Sequence, residues 1–520
     1  MVKKGFKLIK QAFLFTVISL CVLLYSCSSS THKTAQDETD FCSRIHRNDS
    51  ISLSDELAGI SEQMQSQSGV LVLEDGGKAL VTRAWLCEYA EKSIDIQYFI
   101  FSTDNVGLIA CDYLVRAADR GVKVRIIIDD IMVDAEIKDV LTLASHENIS
   151  IKVYNPGVNL GKNLFQKLKK FTTDFRSANQ RMHNKTFIVD GKIAITGGRN
   201  VADEYFDYDH EYNFRDRDVL LLGKIVGDVD TSFNVFWNYD LSISVEDLGD
   251  DNADCFHYEN QFERLHEYAC NPDNFWPQVR HKIENLASSF PDIKRSGELY
   301  WLNDVHFVSD WPGKNDGTSG LGGGGVTTDT LISLVRNAKR SIVIQTPYLI
   351  STELSQKLFR EATQRGVQIR ILTNSLASTD NLEAFASYQS NRKQLLNTGV
   401  RIFEFKPDAA IRKKIMSGDL QGTIDYTPTF GLHAKSMVID EETTVVGTFN
   451  HDPRSANLNT ECIVIINSTE IASEVLRAVE EELKPENSWE TTIDFNPDDE
   501  VNKSKRIKTW TRKVLPKAIL

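Results

Sequence analysis

The chain repeats a strand-like segment: Ser93-Ile94-Asp95-Ile96-Gln97 returns as Ser341-Ile342-Val343-Ile344-Gln345. A second short match, Arg120-Gly121-Val122, returns at nearly the same separation as Arg365-Gly366-Val367. Because both matches have nearly one offset, they indicate an internal duplication rather than a chance similarity. The chain is therefore expected to fold as two related halves.

Each copy also shows the same order of hydrophobic patterns. The first segment is followed by a helical pattern, residues 106–119 or 353–364, and then by an apolar strand, residues 122–128 or 367–372. Two parallel strands joined by a helix form a β-α-β unit with a right-handed crossover. The sequence therefore predicts an α/β fold with one α/β half per copy.

A pattern rich in reactive side chains recurs within the duplication. Both copies fit His-x-Lys-x4-Asp-x6-Gly-x2-Asn. One His-x-Lys pair is common by chance, whereas the whole pattern twice at one offset indicates chemistry. The two copies supply His183, Lys185, Asp190, Gly197 and Asn200, and His433, Lys435, Asp440, Gly447 and Asn450.

Strand parity separates the members of this pattern. His183 and Lys185 are two residues apart and so leave the same face of a strand, as do the corresponding residues of the second copy. Asp190 and Asp440 have the opposite parity, and Asp190 begins an Asp-Gly hairpin signal. These aspartates are expected to hold the turn, whereas Asn200 and Asn450 follow glycine-rich turns that let a short amide reach back to the His-Lys pair.

The duplicated pattern resembles the HKD motif of the phospholipase D superfamily, and the chain is most similar to bacterial cardiolipin synthases. This resemblance implies two α/β halves, each a mostly parallel β-sheet flanked by helices, related by a pseudo-twofold with one shared active-site cleft. The segments that carry the closer resemblance are Arg181-Met182-His183-Asn184-Lys185, Gly197-Gly198-Arg199-Asn200, Asp203-Glu204-Tyr205-Phe206 and Leu515-Pro516.

The residues of the motif match what phosphodiester cleavage requires: a nucleophile, a proton for the leaving alkoxide, and cations around the phosphoryl oxygens. By resemblance, His183 is the nucleophile that forms a phosphohistidine and His433 is the general acid, later the base, with the reverse assignment left open. The two Lys and two Asn would bind the phosphoryl oxygens, so we expect neither a metal nor another cofactor.

A reacting imidazole also needs an acid on its far nitrogen to fix its tautomer. By resemblance, Asp216 is the supporting acid of the first half and Glu461 that of the second. Asp218 shares a strand face with Asp216 and remains an alternative. A purely structural alternative pairs these acids with Arg215, Arg217 or Arg454.

The N-terminal residues indicate export. Four lysines precede an apolar run, residues 12–25, that is short for a membrane span but suits a secretory signal. Leu24-Tyr25-Ser26-Cys27 resembles a bacterial lipobox, which predicts lipidation of Cys27; plain cleavage and an uncleaved anchor are the alternatives. The protein is thus expected in the bacterial cell envelope, lipid-anchored and facing the periplasm, with inner or outer membrane undecided.

These features predict a division of the chain into six parts. The glycine-rich residues 317–325 lack the Gly-Lys-Ser/Thr ending of a phosphate loop and are interpreted as a linker or a surface loop. The parts are a signal peptide (1–26), a tether (27–50), a first half (51–245), a connecting segment (246–325), a second half (326–500) and a basic amphipathic tail (501–520).

Charge favours lipid over nucleic acid as the partner. The chain has 59 Lys and Arg against 73 Asp and Glu, a net charge of −14, whereas nucleic-acid binding draws on a surplus of cations. Basic amphipathic stretches at residues 160–181, 406–415 and 501–520 suit the surface of an anionic membrane.

We therefore predict a phosphatidyltransferase of the cardiolipin synthase type that uses phosphatidylglycerol, with phosphatidylethanolamine as a further candidate substrate. A phospholipase D hydrolase that releases phosphatidic acid is the alternative, followed by a secreted phosphodiesterase or nuclease and by an inactive lipid-binding scaffold. The sequence leaves the oligomeric state open.

Overall fold

The computed structural model describes residues 41–45, 52–132, 137–157, 159, 178–248, 261–315, 321–416 and 428–513. Among the first 44 residues, the described part is a single 3-10 turn, Phe41–Arg44, and all that follows concerns the compact unit Ile45–Leu520. The predicted signal peptide, Cys27 and most of the tether lie outside the described residues. No helix in the described ranges has the length and hydropathy needed to span a membrane.

The first part of the chain alternates strands with helices. In chain order its elements are α1 (Leu53–Ala58), α2 (Ser61–Ser66), β1 (Ser68–Leu73), α3 (Gly76–Tyr89), β2 (Ser93–Tyr98), α4 (Asn105–Asp119), β3 (Lys123–Asp129), α5 (Ile137–Ala144), β4 (Ile149–Tyr154), β5 (Thr186–Val189), β6 (Ile193–Gly197), β7 (Tyr212–Arg215), β8 (Asp218–Gly223), α6 (Val226–Trp237) and β9 (Ser242–Ser244).

The remaining elements include the second copy of the repeat. They are α7 (Gln261–Ala269), α8 (Pro277–Glu284), α9 (Ser289–Ser296), β10 (Tyr300–Leu302), β11 (Val305–Ser309), α10 (Val326–Asn337), β12 (Ser341–Gln345), α11 (Glu353–Gln364), β13 (Gln368–Asn374), α12 (Leu382–Leu396), β14 (Arg401–Phe405), α13 (Arg412–Ile415), β15 (Thr429–Leu432), β16 (Ser436–Ile439), β17 (Thr443–Gly447), α14 (Pro453–Asn457), β18 (Cys462–Asn467), α15 (Thr469–Glu482), β19 (Ser488–Thr491) and α16 (Lys503–Arg512).

The two halves contain matching sheets. The described residues form a nine-stranded sheet in the order β10-β1-β8-β6-β5-β2-β3-β4-β9 and an eight-stranded sheet in the order β11-β18-β17-β16-β12-β13-β14-β19. Helices flank both sheets, and the units β2-α4-β3 and β12-α11-β13 are the predicted β-α-β repeats, with parallel pairing in each. The predicted fold class, an α/β fold with two related halves, is therefore confirmed.

One detail of the sheets differs from the expectation of mostly parallel strands. Within the two large sheets, parallel pairing is confined to β2-β3-β4 and β12-β13-β14. The other neighbours in these sheets run antiparallel. The motif strands cause this difference, because the Asp-Gly turn folds β5 and β6 into a hairpin whose strands must run in opposite directions.

The connecting segment contributes to both sheets. Strand β10 pairs with β1 at one edge of the larger sheet, and β11 pairs with β18 at one edge of the smaller one. The structure does not test the predicted domain boundaries, which stay predictions.

A separate two-stranded sheet joins the halves. In it, β7 of the first half pairs in parallel with β15 of the second, so that Arg215 lies opposite Leu432. A matching parallel bridge joins Met182 to Thr460. Both contacts lie immediately beside a motif histidine, so the fold brings the two copies of the motif together at the interface between the halves.

Candidate active site

Each motif histidine is held by the backbone of the other half. The His183 amide donates a hydrogen bond to the carbonyl of Thr460, at 3.0 Å, and the His433 amide donates to the carbonyl of Arg215, at 2.8 Å. The next residue along each of those partner segments is an acid, Glu461 or Asp216. The backbone pairing between the halves therefore sets each imidazole beside a carboxylate.

The two imidazole–carboxylate pairs are crossed between the halves. His183 Nδ1 lies 2.8 Å from Glu461 Oε2, and His433 Nδ1 lies 2.6 Å from Asp216 Oδ2. The assignment of each acid to the histidine of its own half is therefore wrong. The reason is the pairing just described, because β7 runs alongside β15 and the Thr460 segment runs alongside Met182.

The choice between Asp216 and Asp218 is settled by their contacts. Asp218 forms ion pairs with Arg83, at 2.9 Å, and with Arg199, at 3.5 Å. Asp216 instead contacts His433 and also accepts a hydrogen bond from the Arg217 amide, at 2.7 Å. The alternative in which Asp216 only neutralises an arginine side chain does not fit these contacts.

Small residues make room for the carboxylates. A Cβ atom at Gly198 would lie 2.0 Å from Asp216 Oδ1, so a side chain there would displace the acid. The second copy has Thr448 at the corresponding position, and its hydroxyl donates to Glu461 Oε2 at 2.5 Å. One half thus leaves space for its acid, while the other fixes the longer acid with a hydrogen bond.

Both motif lysines lie beside the histidines. Lys185 Nζ donates to the His183 carbonyl at 2.8 Å, and Lys435 Nζ donates to the His433 carbonyl at 2.6 Å. Lys435 Nζ is also 3.1 Å from His433 Nε2. The two ammonium groups are buried, and their charge is therefore concentrated at the histidines rather than spread over the surface.

One cleft of about 730 Å³ receives both histidines, together with Asn200 and Asn450. Asn200 Oδ1 accepts a hydrogen bond from the Ile100 amide, at 3.1 Å, while its Nδ2 is buried without a hydrogen-bond partner in the described residues. Asn450 Oδ1 is likewise buried and unpartnered there. These amides lie where a ligand in the cleft can complete their hydrogen bonds.

The motif aspartates lie elsewhere, as strand parity predicts. Asp190 accepts hydrogen bonds from the amides of Glu91, Lys92 and Ser93, between 2.7 and 3.0 Å, at the beginning of β2. Asp440 accepts corresponding bonds from the amides that precede β12. Both aspartates join a motif hairpin to the neighbouring strand and do not line the cleft.

Burial and neighbouring charge keep both imidazoles neutral. Burial, together with the charges of Lys185 and Lys435, lowers the pKa of His183 well below its usual value. Burial and Lys435 lower the pKa of His433 to about 4, although Asp216 opposes the shift. Both imidazoles are therefore neutral at neutral pH, each with one ring nitrogen protonated and the other free to act as a base.

The two lysines and the two acids are shifted as well. Burial lowers the pKa of Lys185 to about 7 and that of Lys435 to about 8. Burial raises the pKa of Glu461 to about 7. Burial opposes ionisation of Asp216, but His433 and Lys435 hold its pKa below the usual range, so this acid is the more firmly ionised of the two.

Aromatic residues that the sequence reasoning did not assign pack against the imidazoles. Phe99 lies edge-on to His183 with ring centroids 4.9 Å apart, and Tyr205 lies edge-on to His433 at 5.0 Å. Phe214 contacts the His433 ring at 4.7 Å. Tyr205 lies in one of the segments that carry the family resemblance, and Phe214 lies two residues before Asp216. Their closeness in sequence to the predicted site residues could have indicated that they belong to the site.

One residue of the predicted cationic stretches serves a different purpose. Arg181 is buried, with its guanidinium 3.3 Å from Asp129 and hydrogen-bonded to the carbonyl of Asn155 at 3.0 Å. It therefore supports the strand ends beneath the site. Residues 160–177 of that stretch lie outside the described residues, and no grouping of metal-ligand side chains occurs in the cleft among the described ones.

A duplicated HKD pattern, placed by two α/β halves around one cleft, defines a protein of the phospholipase D superfamily. Residues 86–237 and 331–483 match the family described as "Cardiolipin synthase, PLD-like domain". The chain belongs to this family.

Relatives and a solved structure agree with this assignment. The chain is 32% identical to cardiolipin synthase C of Escherichia coli (strain K12) over 422 residues, 79% of this chain and 84% of that one. It is also 32% identical to an uncharacterized protein of Helicobacter pylori (strain ATCC 700392 / 26695) over 433 residues, 82% of this chain and 81% of that one.

The fold has a counterpart in the crystal structure of phosphatidylserine synthase from Haemophilus influenzae Rd KW20. The TM-score is 0.56 at 12% identity, with 89% of this chain and 100% of that chain covered. At this identity the likeness shows a shared fold.

Proposed function

We propose that the protein is a phosphatidyltransferase of the cardiolipin synthase type that works through a phosphohistidine. The observation that carries the proposal is the pair of crossed imidazole–carboxylate contacts, His183–Glu461 and His433–Asp216, whose histidines line the same cleft. One phosphorus atom in that cleft would have a nucleophile on one side and a proton donor on the other.

The first step transfers a phosphatidyl group to the enzyme. His183 Nδ1 is engaged by Glu461, which leaves Nε2 to attack phosphorus. The new P–N bond forms as the P–O bond to the head group breaks, and the proton on His433 passes to the leaving alkoxide. The Lys185 and Lys435 ammonium groups stabilise charge on the phosphoryl oxygens.

The second step returns the enzyme to its starting state. A glycerol hydroxyl of phosphatidylglycerol loses its proton to His433, which is now neutral, and the hydroxyl oxygen attacks phosphorus. The P–N bond to His183 breaks, and the product is a diphosphatidylglycerol with four acyl chains. Water in place of the hydroxyl would give phosphatidic acid, which is the competing hydrolase reaction.

The electrostatic difference between the two pairs supports giving the nucleophilic role to His183. Asp216 is firmly ionised and stabilises a proton on His433, as a general acid requires. Glu461 has a raised pKa and stabilises a proton on His183 less, which favours the neutral imidazole of a nucleophile. An anionic phosphodiester in the cleft would raise the pKa of His433 from its lowered value and so favour the protonated acid.

The C-terminal helix α16 supports contact with a membrane surface. Its exposed side carries Ile507 and Trp510, with 62% and 69% of their surfaces accessible, among lysines and arginines. Apolar side chains beside cationic ones suit the interface of an anionic bilayer. We extend the proposal to a lipid-anchored protein in the cell envelope, with Cys27 as the modified residue.

The reaction is tested with the purified full-length chain and defined phospholipids. Phosphatidylglycerol alone, and phosphatidylglycerol mixed with phosphatidylethanolamine, are incubated with the protein, and the products are identified by mass spectrometry. His183→Ala, which lacks the nucleophile, is the control. A four-chain product that depends on His183 supports the proposal; phosphatidic acid as the sole lipid product, or cleavage of nucleic acid without lipid turnover, contradicts it.

A further inference from the structure

A second large cavity lies on the helix-covered face of the first sheet. Its volume is about 660 Å³, within the range of small-molecule binding sites. It is a partly open pocket rather than an enclosed void, and a concave, mainly apolar pocket of this size is a candidate ligand site. Its lining includes six aliphatic side chains: Leu108, Ile126, Ile128, Val140, Leu143 and Leu265.

This cavity is next to the candidate active site. Ile100 lines the active-site cleft and the adjoining Phe101 lines the cavity. In the same way, Ile128 lines the cavity, and Ile131, just beyond the end of β3, lines the cleft. The two spaces therefore adjoin at the carboxyl ends of β2 and β3.

Helix α7 forms one wall of the cavity and contacts the neighbouring segments on both of its sides. On the α4 side, His266 Nδ1 lies 3.0 Å from Asp112 Oδ1, and the Tyr268 hydroxyl donates to Asn105 Oδ1 at 3.0 Å. On the α5 side, the Phe262 ring packs edge-on against His146, with centroids 6.1 Å apart. The polar contacts lie at the edge, while Phe262 and Leu265 of the same helix line the cavity.

In the second half, side chains of a longer helix fill the corresponding position. Helix α12 has 15 residues, whereas its counterpart α5 has 8. Phe385 and Tyr388 of α12 are buried and belong to one core cluster with Ile371 and Ile402. By the repeat and the strand register, those two isoleucines correspond to Ile126 and Ile151, which line the cavity in the first half. The fold itself therefore does not require the cavity.

We propose that this cavity binds one acyl chain of the phospholipid whose phosphorus atom is attacked by His183. The inference rests on the proposed function and names the part of the substrate that it left unplaced. A phospholipid whose phosphorus reaches the buried cleft has to withdraw part of its apolar chain from the bilayer, and apolar surface is stabilised when it is kept from water. The neighbouring apolar cavity provides that cover.

Photolabelling tests the location directly. The protein carrying His183→Ala, which leaves the probe intact, is mixed in detergent micelles with phosphatidylglycerol that bears a diazirine midway along one acyl chain. After irradiation, mass spectrometry is expected to find the label on peptides of α4, α5 and α7. Labelling confined to other surfaces overturns the proposal, and so does equal labelling of these helices by a free fatty acid with the same diazirine.

A matched pair of substitutions on α7 tests the cavity by its volume. Leu265→Trp fills the space, whereas Glu263→Trp adds the same side chain at an exposed position that does not line it. The rate on long-chain relative to dihexanoyl phosphatidylglycerol should fall about tenfold or more in the first variant and stay at the wild-type ratio in the second. An unchanged ratio in a folded Leu265→Trp protein overturns the proposal, and the labelling result decides if that protein does not fold.

The two proposals fail separately. Labelling needs no turnover, so a protein that labels α4, α5 and α7 but makes no four-chain lipid retains the acyl-chain site and loses the proposed function. A protein that makes the four-chain lipid without labelling these helices loses the acyl-chain site alone.

Discussion

Asp216 Oδ2 of the first half lies 2.6 Å from His433 Nδ1 of the second. With the reciprocal His183–Glu461 contact, this arrangement means that neither half contains a complete imidazole–carboxylate pair. An isolated half would hold a histidine without its acid and an acid without its histidine. Both halves are therefore needed to form either imidazole–carboxylate pair.

The crossed pairs predict which substitutions are coupled. Asp216→Asn removes the acid that holds the His433 imidazole and should lower kcat by about 10²- to 10⁴-fold, as loss of such an acid does in other imidazole-dependent sites. In a His433→Ala background the same substitution should have little further effect, because the group it acts on is gone.

A double-mutant cycle on kcat makes this measurement, with His183→Ala as the second background. In that background Asp216→Asn should retain most of its effect on the residual rate, because it acts through His433 and not through His183. Coupling of Asp216 to His183 rather than to His433 would contradict the crossed arrangement.

The proposed roles predict different responses to the leaving group. His433→Ala removes the proton donor, so its rate should recover by orders of magnitude when the leaving group is a nitrophenolate that needs no protonation. His183→Ala removes the nucleophile and should show no such recovery. Rates on phosphatidyl esters with alkyl and nitrophenyl leaving groups make the comparison, and recovery in His183→Ala instead would reverse the two assignments.

The shifted lysines predict the alkaline side of the pH profile. The ammonium form of Lys185 exists below its pKa of about 7, and that of Lys435 below about 8. Their charge is lost as the pH rises through these values, and kcat/KM, which reports the free enzyme, should fall between about pH 7 and 9. The nucleophile His183 stays neutral down to low pH, so the acid limb, where its protonation would stop the attack, should lie well below pH 6.5.

Lys185→Arg provides the control for this profile, because a guanidinium keeps its proton throughout the range. The variant should lose the lower of the two alkaline ionisations, even if its overall rate falls. An alkaline limb identical to that of the wild type would show that Lys185 does not contribute to it. Because the site groups interact, the limbs belong to the network rather than to single residues.

The motif aspartates should contribute stability rather than chemistry. Asp190 accepts three backbone hydrogen bonds and has a φ of 53°, in the left-handed region. Asp190→Ala should lower the free energy of unfolding by about 1–3 kcal/mol through the unsatisfied amides, and Asp190→Asn by less, because Asn tolerates this conformation and keeps one acceptor.

Urea denaturation measures these changes, with Lys92→Ala as the control because its exposed side chain takes no part in the contact and should change stability by less than about 0.5 kcal/mol. The kcat of the folded Asp190→Asn protein should fall far less than that of His183→Ala. A comparable loss of kcat with unchanged stability would place Asp190 in the reaction.

Features that depend on local sequence pattern could be predicted from the sequence. Contacts that depend on the pairing of distant segments could not. The β-α-β repeats followed from hydrophobic periodicity, and the turn position of Asp190 followed from parity. The crossing of Asp216 and Glu461 could not follow from either, because it results from β7 pairing with β15 across the halves. Arg181 was predicted to belong to a membrane-facing stretch, but it is buried against Asp129. This contact could not be predicted either, because Asp129 lies far away in the chain.

Helix α16 allows a precise test of membrane contact. One side of the helix packs on the protein through buried Thr509 and through Arg512, which lies 2.8 Å from Glu383. Ile507 and Trp510 lie on the exposed side. Replacing both with serine should leave the melting temperature nearly unchanged but weaken binding to vesicles of phosphatidylglycerol and phosphatidylethanolamine about tenfold or more, because each apolar side chain contributes roughly 1.5–3 kcal/mol when fully buried.

Ser504→Ala on the same helix is the matched control, since it alters an exposed polar residue without removing apolar surface. The remaining affinity of the doubly substituted protein should fall further with added salt, because the lysines of α16 interact with anionic head groups over about one Debye length. Sedimentation with vesicles at two salt concentrations separates these contributions. If the double substitution leaves vesicle binding at the wild-type level, α16 is a packing element of the second half and not the membrane-binding surface proposed for it.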